Sequence, residues 1–181
     1  YKYFSYELEL AKREAEILLS DPELIETANG FFSNKEVSND VLKRLVYFSS
    51  VINPDQSVTP TTQALLEKTA TKTKRQATRY SVHGLHEYKG KFNPQVVKAL
   101  LNMFEVTKGG HVLDPFCGSG TSLIESAHLG IHANGTDINP LAVYIANAKL
   151  EALKIDAICI REELEQILNH VHDFSLSESI E

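Results

Sequence analysis

The stretch Asp114-Pro-Phe-Cys-Gly-Ser-Gly-Thr121 lies between two segments of opposite character. On its N-terminal side, His111-Val-Leu-Asp114 is long enough only for a strand, and on its C-terminal side Thr121 to Leu129 suits a helix that Gly130 ends. Ile131 to Asp137 returns as a second strand, and Asn139-Pro140 starts a further helix reaching about Leu153. Upstream, Asn93-Pro94 caps a helix whose Val96, Val97, Leu100, Leu101 and Phe104 form one apolar face, before Lys108-Gly-Gly110 turns the chain. Strand, helix, strand, helix is the rhythm of a parallel sheet with crossovers. The expected fold class is α/β, with part of a Rossmann-like sheet.

A glycine loop where a strand ends and a helix begins sits at the place where a parallel sheet opens a crevice for ligand. Gly118 and Gly120 let the backbone turn sharply and approach that ligand closely. A phosphate fits poorly: there is no G-x-x-x-x-G-K-[ST], and the loop is shorter than G-x-G-x-x-G. Asp114 would repel a phosphate and attract an ammonium, which points to the methionine amine of S-adenosylmethionine. Asp137 lies 19 positions beyond Gly118, at the end of the second strand, where a carboxylate can accept hydrogen bonds from both ribose hydroxyls.

With Gly135-Thr-Asp-Ile-Asn-Pro140, the loop resembles the first two motifs of the amino-group DNA methyltransferases, the N4-cytosine and N6-adenine enzymes. His83-Gly-Leu-His-Glu-Tyr-Lys-Gly-Lys-Phe-Asn-Pro94 is similar to the motif that precedes the glycine loop in that family, and the resemblance spans about Arg79 to Leu150. It implies that Phe92 and Pro94 flank the methionine part of S-adenosylmethionine. It also implies that Asp114, Pro115, Phe116, Cys117, Gly118, Ser119, Gly120 and Thr121 surround the amine and carboxylate. Asp137 would hold the ribose, with Ile138 against the adenine and Asn139 beside them. The family's catalytic signature, an Asp, Asn or Ser followed by Pro-Pro and an aromatic residue that stacks on a flipped base, does not occur in these 181 positions. No catalytic residue is therefore assigned, and the resemblance implies that the missing catalytic or target-recognition segment lies on either side of these residues or on another chain.

Outside this region the expectations are coarser. Phe4, Leu8, Ala11, Ala15, Leu18 and Leu19 recur at helical spacing, Ser20-Asp-Pro-Glu23 looks like a helix start with a stop at Gly30, and Asn39 to Val51 suggests another helix. Residues 1–52 are thus expected to form a helical N-terminal region, 53–78 a linker and basic segment, 79–174 the cofactor-binding α/β region and 175–181 a polar tail. Ile155 to Ile160 reads as a third strand or as a turn before a helix from Glu162 to Val171.

Lys and Arg total 18 against 24 Asp and Glu, so a formal net charge of -6 gives no global attraction to nucleic acid. From Lys68 to Lys91 the chain carries Lys68, Lys72, Lys74, Arg75, Arg79, Lys89 and Lys91, and the part from Lys68 to Arg79 is a solvated helix face or a local contact to a DNA backbone. Two cysteines without paired spacing exclude a disulfide framework or a zinc site, and fit a reducing, cytoplasmic setting. His83 and His86 lack a carboxylate or cysteine partner nearby in sequence, and no metal is expected. No apolar run approaches the roughly 20 residues of a membrane-spanning helix. Three functions compete. The first is a DNA amino-methyltransferase of a restriction-modification system acting on duplex DNA with the target base flipped, the second an RNA guanosine N2-methyltransferase, the third a cofactor- or DNA-binding subunit without chemistry of its own.

Overall fold

The computed structural model describes residues 3–68 and 76–178. Helix α1 (Ser5–Leu18) is closed at its start by the Glu7 carboxylate, which accepts the Phe4 amide at 2.7 Å, and it buries Ala11, Glu14 and Ala15. Ser20, at φ 50°, then turns the chain out of the helix.

The expected helix after Ser20 is instead an antiparallel hairpin of β1 (Ile25–Thr27) and β2 (Gly30–Phe32), with Thr27 opposite Gly30 across a two-residue turn. Asp21 does not cap a helix here. Its carboxylate accepts the Ser33 hydroxyl at 2.5 Å and the Glu23 amide at 3.2 Å, which tie the two ends of the hairpin together. Helix α2 (Asn39–Arg44), capped by Ser38, is shorter than expected because Leu45 leaves the helix and Leu45, Val46 and Tyr47 run into the core. A second hairpin follows, β3 (Ser50–Ile52) with β4 (Val58–Pro60), and then α3 (Thr62–Glu67), where a linker was expected. The N-terminal region is thus helix and hairpin together. Short strands with β-branched and aromatic residues were hidden by capping-type residues that serve turns equally well.

Of the basic run, Lys72, Lys74 and Arg75 lie outside the described residues. A single 3-10 turn, Ser81–Gly84, leads into the segment before α4 (Pro94–Met103), whose Asn93 cap accepts the amides of Gln95 and Val96 as expected. Strands β5 (His111–Asp114) and β6 (His132–Gly135) pair in parallel with Asp114 opposite Gly135, and α5 (Thr121–His128) makes the crossover. Helix α6 (Pro140–Ala152), capped by Asn139, is followed by α7 (Ala157–Glu178), so the third-strand alternative is replaced by helix. The fold is mixed α/β, with three two-stranded sheets among the described residues.

Helix α4 packs on both sides. Val97 and Leu101 meet Ile131 and the half-buried Val112 and Leu129, while Ala99 joins Ala11, Val46 and Tyr47. Between α1 and α4 lies a buried carboxyl: Glu14 accepts the Val46 amide at 3.0 Å and Asn102 Nδ2 at 2.5 Å, and Arg44 Nε donates to Asn102 Oδ1 at 2.8 Å. Burial pushes the Glu14 pKa up to about 7, against the hydrogen bonds from Val46 and Asn102 that favour its charge. Between pH 4.5 and 7 the folded chain therefore holds this proton more tightly than the unfolded chain, so the contribution to stability is complete below about 4.5 and is lost as pH rises through 7. Glu14→Gln is expected to remove a dependence of up to about 3 kcal/mol, seen as urea-unfolding free energies that converge between pH 5 and 8; an unaltered pH profile would rule the effect out.

Candidate functional site

The site grows from the C-terminal end of β5. Asp114 Oδ1 accepts the Phe116 amide at 3.0 Å, and Oδ2 accepts the hydroxyl of Ser122 on α5, so this carboxylate staples the loop to the helix it feeds. Thr136 N donates to Asp114 O at 3.0 Å and Cys117 N to Thr136 O at 3.0 Å, extending the strand pairing into the loop. Gly120 N donates to Cys117 O at 2.8 Å. Gly118 and Gly120 have φ of 51° and 83°, the left-handed region that side chains disfavour.

Gly120 carries a second constraint. A Cβ there would lie 2.9 Å from Ala146 Cβ on α6, so the absence of a side chain lets α6 close on the loop. Gly135 does the same for β6, where a Cβ would fall 2.7 Å from Cys117 Cβ. Cys117 itself packs with Leu123 and Ala146, and its thiol pKa is pushed up by burial and by the charges of Asp114 and Asp137. Its thiol is buried against these side chains.

Asp137, half-buried, lies just beyond β6. Its Oδ2 accepts the Gly118 amide at 2.9 Å and its Oδ1 the Asn139 amide at 2.8 Å, so the acid at the end of the second strand is fixed directly to the glycine loop. Each oxygen keeps a lone pair for a further donor. Asn139 caps α6 by accepting the Leu141 amide at 3.0 Å and donates to the Tyr88 hydroxyl at 3.4 Å. The Tyr88 ring stands over Gly118, with Cε1 3.6 Å from where a Cβ would be. Phe116 and Ile138 are 85% and 102% exposed, two apolar side chains presented to solvent next to these loops. Ser119 is buried, and its hydroxyl has no hydrogen-bond partner among the described residues.

The sequence-predicted residues from Asp114 to Thr121 and from Asp137 to Asn139 are thus brought into one connected loop system. Pro94 is buried in the first turn of α4 and Phe92 is exposed just ahead of it; the contacts that join their segment to the loop come from Tyr88. Tyr88 was not singled out from the sequence, although it lies within the quoted motif and its hydroxyl and ring suit a loop-covering role. Within the basic run, Arg79 pairs with Glu87, and Lys91 donates to Thr78 O at 2.8 Å and His83 O at 3.3 Å, so both cations brace this segment. Among the described residues no three His, Cys, Asp or Glu side chains gather as a metal set, and no helix is long and apolar enough to cross a membrane.

Residues 83–164 match the RMKL-like methyltransferase domain family. Among individual proteins, the chain is 43% identical over 95 residues to the Type II methyltransferase M.MjaII of Methanocaldococcus jannaschii. It is 32% identical over 95 residues to the Type II methyltransferase M.BsoBI of Geobacillus stearothermophilus. It is also 30% identical over 94 residues to a tRNA (guanine(10)-N2)-dimethyltransferase of Methanothermobacter thermautotrophicus. Each match covers 52% of this chain but only 17%, 18% and 26% of the relative.

The Gly120 contact can be isolated with a control. Gly109 has a similar φ of 81° but open space where its Cβ would go. Gly109→Ala should lose about 1 to 2 kcal/mol from backbone strain alone, and Gly120→Ala at least about 1 kcal/mol more from the collision with Ala146; equal losses in denaturant titration would show that the contact is immaterial.

Proposed function

We propose that this chain is the S-adenosylmethionine-binding part of a methyltransferase that modifies an exocyclic amino group of cytosine or adenine in duplex DNA. The observation that carries the proposal is Asp137, held by the Gly118 and Asn139 amides at the end of a strand parallel to the one that feeds the glycine loop. The lone pairs left on its oxygens suit two ribose hydroxyls, the exposed Ile138 would offer an apolar contact to adenine, and Asp114 would supply negative charge near an ammonium. The partnerless Ser119 hydroxyl suits a polar ligand at this loop. Phe92, Pro94 and the loop from Asp114 through Pro115, Phe116 and Cys117 to Thr121 complete the proposed cofactor set, within a cofactor-binding region at 79–174. The cofactor supplies a methyl group on a sulfonium, open to direct attack by the base amine.

The β5–β6 pair would be the beginning of a Rossmann-like sheet, and Leu113, 69% exposed on β5, is consistent with further packing there. The Pro-Pro-aromatic signature would come from another segment or another chain, acting on a flipped base in a cytoplasmic restriction-modification setting. A tRNA guanine N2-methyltransferase is the second reading, favoured by the similarity to the guanine(10)-N2 enzymes; the higher identity to M.MjaII favours DNA.

Calorimetric titration with S-adenosylmethionine should give saturable binding that Asp137→Ala weakens at least tenfold, the loss of two hydrogen bonds to a carboxylate being worth about 1.5 to 3 kcal/mol each. Unchanged affinity in a folded Asp137→Ala variant would end the assignment. Transfer of labelled methyl by the complete polypeptide to duplex DNA, and not to tRNA, is the expected outcome that separates the two substrates.

A further inference from the structure

Behind the glycine loop, α5 carries a carboxylate with no exposed surface, Glu125. Its Oε1 accepts the Tyr80 hydroxyl at 2.9 Å and His83 Nε2 at 2.6 Å, and His128 Nδ1 lies 3.5 Å away on the same helix. Tyr80 and His83 are themselves buried, with their rings edge to face at 5.2 Å, and Ser81 Oγ lies 3.1 Å from His128 Nε2. One carboxylate thus fastens the start of the segment that carries Tyr88 to the helix that the glycine loop feeds. At the other end of that segment, Lys91 holds the carbonyls of Thr78 and His83.

We propose that Glu125 is a positioning residue for cofactor binding: by gripping Tyr80 and His83 it holds residues 80–91 so that Tyr88 covers Gly118 and reaches Asn139. This rests on the cofactor-site reading above. The geometry also sets the charge state in which the grip works. His83 donates from Nε2 to Glu125, while its Nδ1 is buried without a partner, so a second proton on this ring would have no acceptor. Burial lowers the His83 pKa, opposed by the bond to Glu125 and its charge and assisted by the charges of Lys91 and His128. Burial disfavours the Glu125 charge, yet the adjacent imidazoles of His128 and His83 hold its pKa down to about 2. Tyr80 stays protonated, its pKa raised by burial and by Glu125, and Lys98 on α4 faces the same carboxylate. A depressed histidine pKa means that the grip is complete above the ordinary value of about 6.5 and is lost as pH falls through the lower folded value. Acid should therefore loosen the cover over the loop before it unfolds the chain.

The test is S-adenosylmethionine affinity by calorimetry between pH 8 and 5.5 for the unsubstituted chain, Glu125→Gln, Tyr80→Phe and Asp137→Ala, with thermal melts to establish folding. The ligand's own amine, with a pKa of about 7.7 to 8.0, titrates alike in all four, so differences between profiles belong to the protein. The unsubstituted chain should lose affinity in acid, beyond the ligand's own contribution, by about tenfold. Glu125→Gln should bind about tenfold more weakly at pH 8 with a flattened profile. Tyr80→Phe, which deletes one donor and keeps the ring, should weaken binding about threefold and keep the pH dependence; it carries the test should Glu125→Gln fail to fold. If Asp137→Ala loses affinity while Glu125→Gln and Tyr80→Phe keep the original affinity and profile, the positioning role is overturned and the cofactor site stands. A weakened Glu125→Gln with an unaltered pH profile also overturns it, as general destabilisation. No binding by the unsubstituted chain overturns both readings.

Discussion

Helix α4 is the element on which the rest of the molecule depends, because it is buried on two sides with chemically different partners. Gln95, Lys98 and Asn102 recur at i, i+3 and i+7 on one face, and none of the three has more than 1% of its surface exposed. Removing amides and an ammonium from water is unfavourable unless each finds a partner. Gln95 Nε2 donates to Glu67 on α3 and to Ala77 O, Lys98 Nζ to Gln63 on α3 at 3.0 Å, and Asn102 Nδ2 to Glu14 on α1. Each partner lies on an element remote in sequence, so the polar face of one helix dictates where α1, α3 and the chain before the 3-10 turn must go. The opposite face, Val97 and Leu101, meets Ile131 and Val112 and sets the helix against the parallel strands.

That arrangement sets the parallel strands that feed the glycine loop against α4. The loop is held by acids: Asp114 ties it to α5, Asp137 ties it to the turn after β6, and α6 closes against it where Gly120 has no side chain. The neighbouring cations Arg79 and Lys91 are spent on Glu87 and on backbone carbonyls. The loop is thus bordered by the carboxylates of Asp114 and Asp137, while the nearby cations are engaged elsewhere.

The strand-loop-helix-strand-helix order from His111 to Ala152, the Asn93 and Asn139 caps and the pairing of the glycine loop with Asp137 were all legible in the sequence. They depend on local rules: the reach of a capping side chain, the need for glycine at positive φ, and the spacing of strands joined by one crossover helix. The resemblance to methyltransferases was legible for the same reason, because the matching motifs lie in one contiguous stretch. Only the tertiary structure decided that the residues after Ser20 form a hairpin, that Tyr88 stands over the loop and that Glu125, between Ile124 and Ser126 in an apolar helix, is the fastening point for Tyr80 and His83. Those outcomes depend on partners 30 or more positions away, or on turn residues that serve a helix start and a hairpin equally well. A sequence states which groups must be satisfied, and the packed chain chooses what satisfies them.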